Sequence, residues 1–363
     1  MIDTSFTNKE FSKMILGTMQ FLWTVTTEKE AYAILDAYVD AGGTVIDTAD
    51  MYTNWVPGLH GGEAETIIGK WMKRRKNRDK IILISKVRGR MWEGKEGEGL
   101  SRQHIMKAFE QSLKRLQTEY LDVYLSHWSD KETPIQETLL AYRELMDEGE
   151  VRSIGCSNYT KEELQEALKV GRTIGANYTH IEAYYNLIDQ ENFEQSILPL
   201  VKEYNLQVLA YGPLAGGFLT GDYRKDKPVP KNARAEFIKE KMTNENLHVI
   251  SILEILAKKY EATIAQISLA WLLHKPYIAA AIIGTDTVKQ LQENMQAIDV
   301  RLEQEDVKKL NNLSVDNQQE NKTCKICYRI ACKKCGWVAT EDEVLQIQQG
   351  KLTACPMCGW KPK

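Results

Sequence analysis

Cysteine is nearly absent from most of this chain. Of seven cysteines in 363 residues, one, Cys156, falls in the first 323, and the other six lie in the last forty. Long apolar runs are missing too. None reaches the roughly 18 residues that a membrane-spanning helix needs, so no membrane span is expected. Strong charge of either sign is absent. The 47 Lys and Arg against 50 Asp and Glu leave a net charge of -3, which gives the chain as a whole no bias toward nucleic acid or an anionic membrane. The stretch MIDTSFTNKEFSKMILG has no basic region leading into an apolar core, so no secretion signal is expected and the expected compartment is the cytoplasm. Disulfides are rare there, and clustered cysteines point to metal instead. No G-x-G-x-x-G follows the first β-like run, which disfavours a doubly wound dinucleotide fold.

What is present is an ordinary globular balance, 43% apolar and 27% charged, with enough apolar residues for a large core. Short β-rich runs alternate with longer amphipathic stretches over the first 300 residues. The strands read KMILG, TVIDTA, IILISK, LDVYLS, VRSIGCS, YTHIEA, LQVLAYG and IAAAIIG. Between them, Ile105, Phe109, Ser112, Leu113 and Leu116 recur at helical spacing. TPIQETLLAYRELMDEGE shows a threonine cap, a proline in the first turn and a glycine stop. Strand–helix units in series predict an α/β fold, a closed (β/α)8 TIM barrel. Two segments exceed it: PLAGGFLTGDYRKDKPVPKNARAEF after the seventh strand, and a helix near 303–314. SVDNQQENKT is polar and lacks periodicity, so it reads as a linker. The expected domains are a barrel over 1–314, a linker over 315–323 and a small C-terminal metal-binding domain over 324–363.

Barrel enzymes carry their chemistry where strands end. There the sequence places Asp47, Lys86, His127, Ser157 with Asn158, Glu182 and Tyr211, with Tyr52 just beyond Asp47. Each alone would be read as structural. An aspartate, a lysine and a histidine at the ends of three consecutive strands point instead to proton delivery to a carbonyl. Tyrosine is a weak acid, with an ordinary pKa of about 10. A neighbouring ammonium lowers that value, and an aspartate holds the ammonium in place. Histidine then aims the carbonyl or joins the proton path, and the step needs no metal.

The segments GTMQF, DTADMY, GGEAETIIGKW, SLKRLQTEYLDVYLSHW, GEVRSIGCSNY, YNLIDQ, YGPLAGGFLTG and IIGTDTVKQLQENMQA together resemble the aldo-keto reductase family, from about residue 12 to 313. The resemblance implies a barrel that binds NADPH without a Rossmann domain and reduces aldehydes or ketones; the alternative is a regulatory subunit that keeps the barrel and binds the nucleotide with little turnover. By position, it implies Tyr52 as proton donor, Lys86 and Asp47 as the pair that tunes it, and His127 as the residue that orients the carbonyl. For the cofactor it implies Thr18, Met19 and Asp47 at the mouth, Ser157 and Asn158 on the nicotinamide amide, and Tyr211 under the ring. It also implies the loop of Gly212, Pro213, Leu214 and Gly216 over the pyrophosphate, and Gly284, Thr285, Gln290, Glu293 and Asn294 at the adenosine end. Arg234 is either a clamp for the 2′-phosphate or a solvated surface residue. Gly284 and Thr285 lead into a helix, whose N-terminus favours phosphate on physical grounds alone.

Two positions depart from the family pattern. Glutamine is usual where this chain has Glu182, and an ionised carboxylate there accepts but cannot donate, which is expected to bias the bound cofactor toward its oxidised form. Basic character around Thr285 is weak, which leaves the choice of NADPH over NADH less marked. Met19, Trp23, Trp55, Trp92 and Trp128 include candidate pocket walls for a small carbonyl or alcohol substrate with an apolar or sugar-like body, and others of them are expected in the core.

The tail holds two similar turns, CKKCGW and CPMCGW, separated by 19 residues. Each C-x-x-C-G turn aims two sulfurs at one point, and two such turns make a tetrahedral four-sulfur site for Zn or Fe. The ligand set is Cys332, Cys335, Cys355 and Cys358, and the turns resemble those of rubredoxins and zinc ribbons. Cys324 and Cys327 are surplus: a second partial site, a redox pair, spare thiols, or half of an iron–sulfur grouping with Cys332 and Cys335. Docking or assembly, including homo-oligomer formation, is the favoured role of the tail over single-electron transfer and nucleic-acid binding. Cys156 reads as a small core residue of the fifth strand.

Overall fold

A computed structural model describes residues 9–223 and 235–323. The elements follow the expected alternation. β1 (Met14–Gly17), α1 (Glu28–Asp40), β2 (Val45–Asp47), α2 (Glu63–Arg75), β3 (Ile82–Val87), α3 (Arg102–Leu116), β4 (Leu121–Ser126) and α4 (Ile135–Asp147) form the first half. β5 (Val151–Ser157), α5 (Lys161–Ile174), β6 (His180–Tyr184), α6 (Leu198–Tyr204) and β7 (Gln207–Tyr211) continue it. After β7 come α7 (Ala235–Lys241), α8 (Asn244–Lys259) and α9 (Ile264–His274), then β8 (Ile278–Gly284), α10 (Val288–Met295) and α11 (Gln304–Thr323). The strands close a parallel barrel in the order β1 to β8, with β8 paired back onto β1.

Parallel barrel strands are covered on both faces, which is why they read as continuous apolar runs. Ile15, Val45, Ile82, Ile84, Val123, Leu125, Leu209, Ala280 and Ile282 form the core cluster. The helices begin where side chains satisfy their first N–H groups. Thr27 with Glu30, Thr160 with Glu163 and Thr263 with Gln266 form reciprocal capping boxes at α1, α5 and α9. α2 and α3 approach closely because position 69 is glycine: a Cβ there would stand 2.2 Å from the Arg115 carbonyl oxygen. Near the start of β4, the buried Asp122 carboxylate meets Lys9 at 3.1 Å, Arg78 at 2.9 Å and Arg152 at 3.6 Å. That cluster ties down the end of the barrel opposite the strand termini, the end that serves stability rather than chemistry.

One local expectation is corrected. Thr133 does not cap α4: Pro134 holds the cap position, and the Thr133 hydroxyl donates to Asp130 at 2.7 Å. The glycine stop does occur, with Gly149 at φ +77°. Residues 315–323, the expected linker, are helical, since α11 runs through them to Thr323. No Gly or Pro interrupts 304–323, and an aperiodic polar sequence does not by itself stop a helix. The chain divides into compact units at Val307 and Lys308, inside that helix. Among the described residues, no helix is long and apolar enough to cross a membrane.

Candidate active site

Four strand ends build the mouth of the barrel. Asp47 closes β2, Lys86 lies near the end of β3, His127 follows β4, and Glu182 lies on β6. Tyr52 reaches the same place from the segment after β2. The Lys86 ammonium donates to Asp47 Oδ1 at 2.5 Å, to the Thr48 carbonyl at 3.0 Å and to the Tyr52 hydroxyl oxygen at 3.2 Å. Glu182 Oε2 stands 3.4 Å from the same nitrogen. All of these side chains are buried, Lys86 to 1% exposure. Positive-φ backbone follows directly on β3 and β5, at Arg88 (φ +135°) and Asn158 (φ +57°), and occurs next to Tyr52 at Thr53 (φ +85°). Such conformations are costly for residues with a side chain and gather where geometry must be held for function.

The electrostatics correct one expectation. Burial pushes the Tyr52 phenol above its ordinary value; Lys86 pulls against the rise, while Asp47 and Glu182 add to it. Burial therefore outweighs the ammonium, and the phenol holds its proton more tightly than a free tyrosine. Burial also acts against the Lys86 charge, but Asp47 and then Glu182 outweigh it, and the ammonium stays protonated above its usual range. Burial, then the nearby Lys86 charge, hold His127 well below the usual imidazole range. The ring is therefore neutral. It stacks on Trp128 at 3.9 Å and meets the edge of Tyr52 at 5.8 Å. A neutral imidazole is suited to aiming a carbonyl rather than supplying the proton.

Several expected cofactor residues lie at or just past the same strand ends. The Thr18 hydroxyl donates to the Asp47 carbonyl at 2.9 Å, and Met19 is exposed. Ser157 is buried, while Asn158 donates to the His127 carbonyl at 3.0 Å and to Ser157 Oγ at 3.1 Å. The Tyr211 hydroxyl donates to Asn158 Oδ1 at 2.5 Å, so the residues expected at the nicotinamide are linked to one another. Gly212 and Gly216 take positive φ, and Pro213 and Leu214 lie between them. Gly284 ends β8, and Thr285 is buried. Gln290 is folded back to accept from the Asp286 amide at 2.8 Å, the Glu293 carbonyl accepts from Gln266, and Asn294 is buried. Thr287 caps α10. Arg234 and the four candidate ligands Cys332, Cys335, Cys355 and Cys358 lie outside the described residues, as do Cys324 and Cys327. Cys156 is fully buried on β5, as expected of a core residue.

Of the candidate walls, Trp23 and Trp55 meet edge to face at 6.0 Å, and Trp55 meets Tyr52 at 6.2 Å. Trp55 and Trp128 remain partly open, at 40% and 37% exposure. Trp92 packs on His104 at 4.8 Å under Lys107. Two residues were missed as site candidates. Gln20 lies against Gly284, where a Cβ would stand 1.9 Å from its amide nitrogen, and Asp286 accepts from Thr24 at 2.5 Å. The segment GTMQF held the only signal for Gln20, and the contact with Gly284 exists only in three dimensions.

The Aldo/keto reductase family matches residues 13–315. The chain belongs to the aldo/keto reductase family. It is 33% identical over 315 residues to the Aldo-keto reductase YhdN of Bacillus subtilis, covering 85% of this chain and 91% of the relative. It is 31% identical over 326 residues to the NADH-specific methylglyoxal reductase of Escherichia coli, covering 83% and 94%. It is also 32% identical over 279 residues to a probable voltage-gated potassium channel subunit beta of Oryza sativa, covering 75% and 83%. As an aldo/keto reductase it is an oxidoreductase acting on carbonyl and alcohol groups with a nicotinamide cofactor. The residues present fit such a group. His127 Nδ1, Glu182 Oε1, Thr285 Oγ1 and Gln20 Oε1 are buried with no partner among the described residues, and buried polar atoms of this kind call for a ligand or water.

Proposed function

We propose that this aldo/keto reductase reduces an aldehyde or ketone to an alcohol, reversibly, with NADP(H), and that Tyr52 is the proton donor. The observation that carries this reading is the direction of one hydrogen bond. Lys86 donates to the Tyr52 oxygen, so the phenol is an acceptor there and keeps its own proton for a carbonyl oxygen. The bound nicotinamide supplies the hydride. Asp47 fixes the ammonium, the ammonium stabilises the phenolate left after transfer, and neutral His127 holds the carbonyl oxygen in line. The tight hold of buried Tyr52 on its proton means transfer runs with the charge developing on the carbonyl oxygen, not ahead of it. Thr18, Met19, Ser157, Asn158, Glu182 and Tyr211 would hold the nicotinamide end. Gly212, Pro213, Leu214, Gly216, Arg234, Gly284, Thr285, Gln290, Glu293 and Asn294 would hold the remainder. Trp23, Trp55 and Trp128 offer an aromatic wall to a small carbonyl substrate.

A second reading is a regulatory subunit that binds nucleotide with little turnover, because one relative is named as a channel subunit rather than as a reductase. Incubating the full chain with several small aldehydes and either reduced nicotinamide cofactor, and following loss of reduced-nicotinamide absorbance, separates the two. Turnover is expected, faster with NADPH. Tight binding without turnover on any aldehyde would favour the regulatory reading.

For the last forty residues we propose a metal module in which Cys332, Cys335, Cys355 and Cys358 bind one Zn or Fe and which serves docking or assembly. So short a segment has little apolar area to bury, and a four-thiolate metal would supply the missing stability. Metal analysis of the purified full chain is expected to find the ion, colourless for Zn and coloured for ferric iron. Chelation is expected to make the tail protease-sensitive while the barrel persists. Unchanged proteolysis and circular dichroism after chelation would sink the metal reading.

A further inference from the structure

Glu182 competes for Lys86 with three closer acceptors. The three N–H groups of the ammonium go to Asp47, the Thr48 carbonyl and Tyr52. Glu182 Oε2, at 3.4 Å from the same nitrogen, shares this ammonium with Asp47 and also lies within hydrogen-bonding reach of the Asp47 carboxyl. Oε1 has no partner among the described residues, although Glu182 is only 3% exposed. An ionised carboxylate in such a place is costly. The groups that face it are Asp47 from β2, Tyr52 from the segment after β2, Lys86 from β3, Cys156 from β5 and Tyr211 from β7. Lys86 is the one cation among them, shared between two carboxyls. Charge balance is reached when the carboxyl pair keeps one proton. Burial, and then repulsion from Asp47, push Glu182 well above the usual carboxylate range. This corrects the expectation of a permanently ionised Glu182: with its proton it can donate as well as accept, as a glutamine amide does.

A second positive charge in this mouth would remove the reason for keeping that proton, and the two oxidation states of a nicotinamide differ by one positive charge on the ring. We propose that Glu182 is a proton-linked counter-charge for the cofactor, protonated beside the neutral reduced ring and ionised beside the cationic oxidised ring, its proton passing to solvent. The inference rests on the reading that a nicotinamide occupies this mouth. Below the raised ionisation of the free protein, binding of the oxidised form must expel a proton, so its affinity rises with pH. Above that ionisation the carboxyl is already charged and the affinity levels off.

The test is binding, read by quenching of intrinsic tryptophan fluorescence. Oxidised and reduced cofactor are titrated into full-length wild type and Glu182→Gln across neutrality. The affinity of wild type for the oxidised cofactor is expected to rise by up to about tenfold per pH unit before levelling. The affinity for the reduced cofactor should change little, and the slope should vanish in Glu182→Gln. Calorimetry of oxidised-cofactor binding to wild type, in two buffers of different ionisation enthalpy, counts the released proton without any variant. A slope retained in Glu182→Gln, or no proton released by wild type, overturns the proposal. If neither cofactor binds wild type, the nicotinamide reading fails and the inference with it. Binding of both without proton release overturns the inference alone.

Discussion

Replacing Tyr52 by phenylalanine is expected to lower kcat by about 10²–10⁴-fold, the usual worth of a positioned general acid, with cofactor affinity little changed. The hydroxyl is the only atom removed, and the ring keeps its edge contacts with Trp55 and His127. Lys86 loses one acceptor but keeps Asp47 and the Thr48 carbonyl, so the site should stay folded. The measurement is steady-state turnover with an aldehyde, alongside cofactor binding by fluorescence. A variant that turns over at the wild-type rate would remove Tyr52 from the chemistry and leave the proton to another group. A variant that loses binding and turnover together would place the residue in cofactor binding instead.

Lys86→Met is expected to damage stability as well as turnover. The ammonium is the cation shared by Asp47 and Glu182 in a buried pocket. Removing one partner of such a buried pair costs about 3–5 kcal/mol, because the charge left behind has no compensation. Left without their cation, the two carboxyls can be held in this spot only by taking up protons. Carboxyls whose folded state holds protons more tightly than the unfolded chain lose stability as pH rises. The gap between wild type and variant in urea denaturation should therefore widen toward alkaline pH and narrow in mild acid. A gap that does not depend on pH would mean that the loss comes from packing of the lysine stem rather than from charge. Turnover should fall as in the Tyr52 variant, since the phenolate loses its stabilising cation.

The strands were legible because they are buried on both faces. LDVYLS, VRSIGCS and IAAAIIG coincide with β4, β5 and β8, since a covered parallel strand has no polar alternation to blur its ends. Asp47, Lys86 and His127 were legible for the complementary reason: a charged or polar residue at the end of an apolar run stands out. Errors came where a side chain had two partners to choose from. Thr133 had the position of a cap but bonds Asp130, a residue whose proximity depends on how the loop after β4 folds. Trp92, a pocket wall or a core residue by sequence, packs on His104, because the segment after β3 turns back onto α3.

The order of apolar runs and helical stretches, read without coordinates, determined the barrel, the end of it that carries the polar residues, and the family, since these depend on pattern along the chain. Tertiary structure alone decided the protonation states. Whether Tyr52 is made more or less acidic, and whether Glu182 carries a charge, depends on how far each is removed from water and how many carboxyls share one ammonium. Both are properties of the folded pocket, because electrostatic free energy is set by distance and burial.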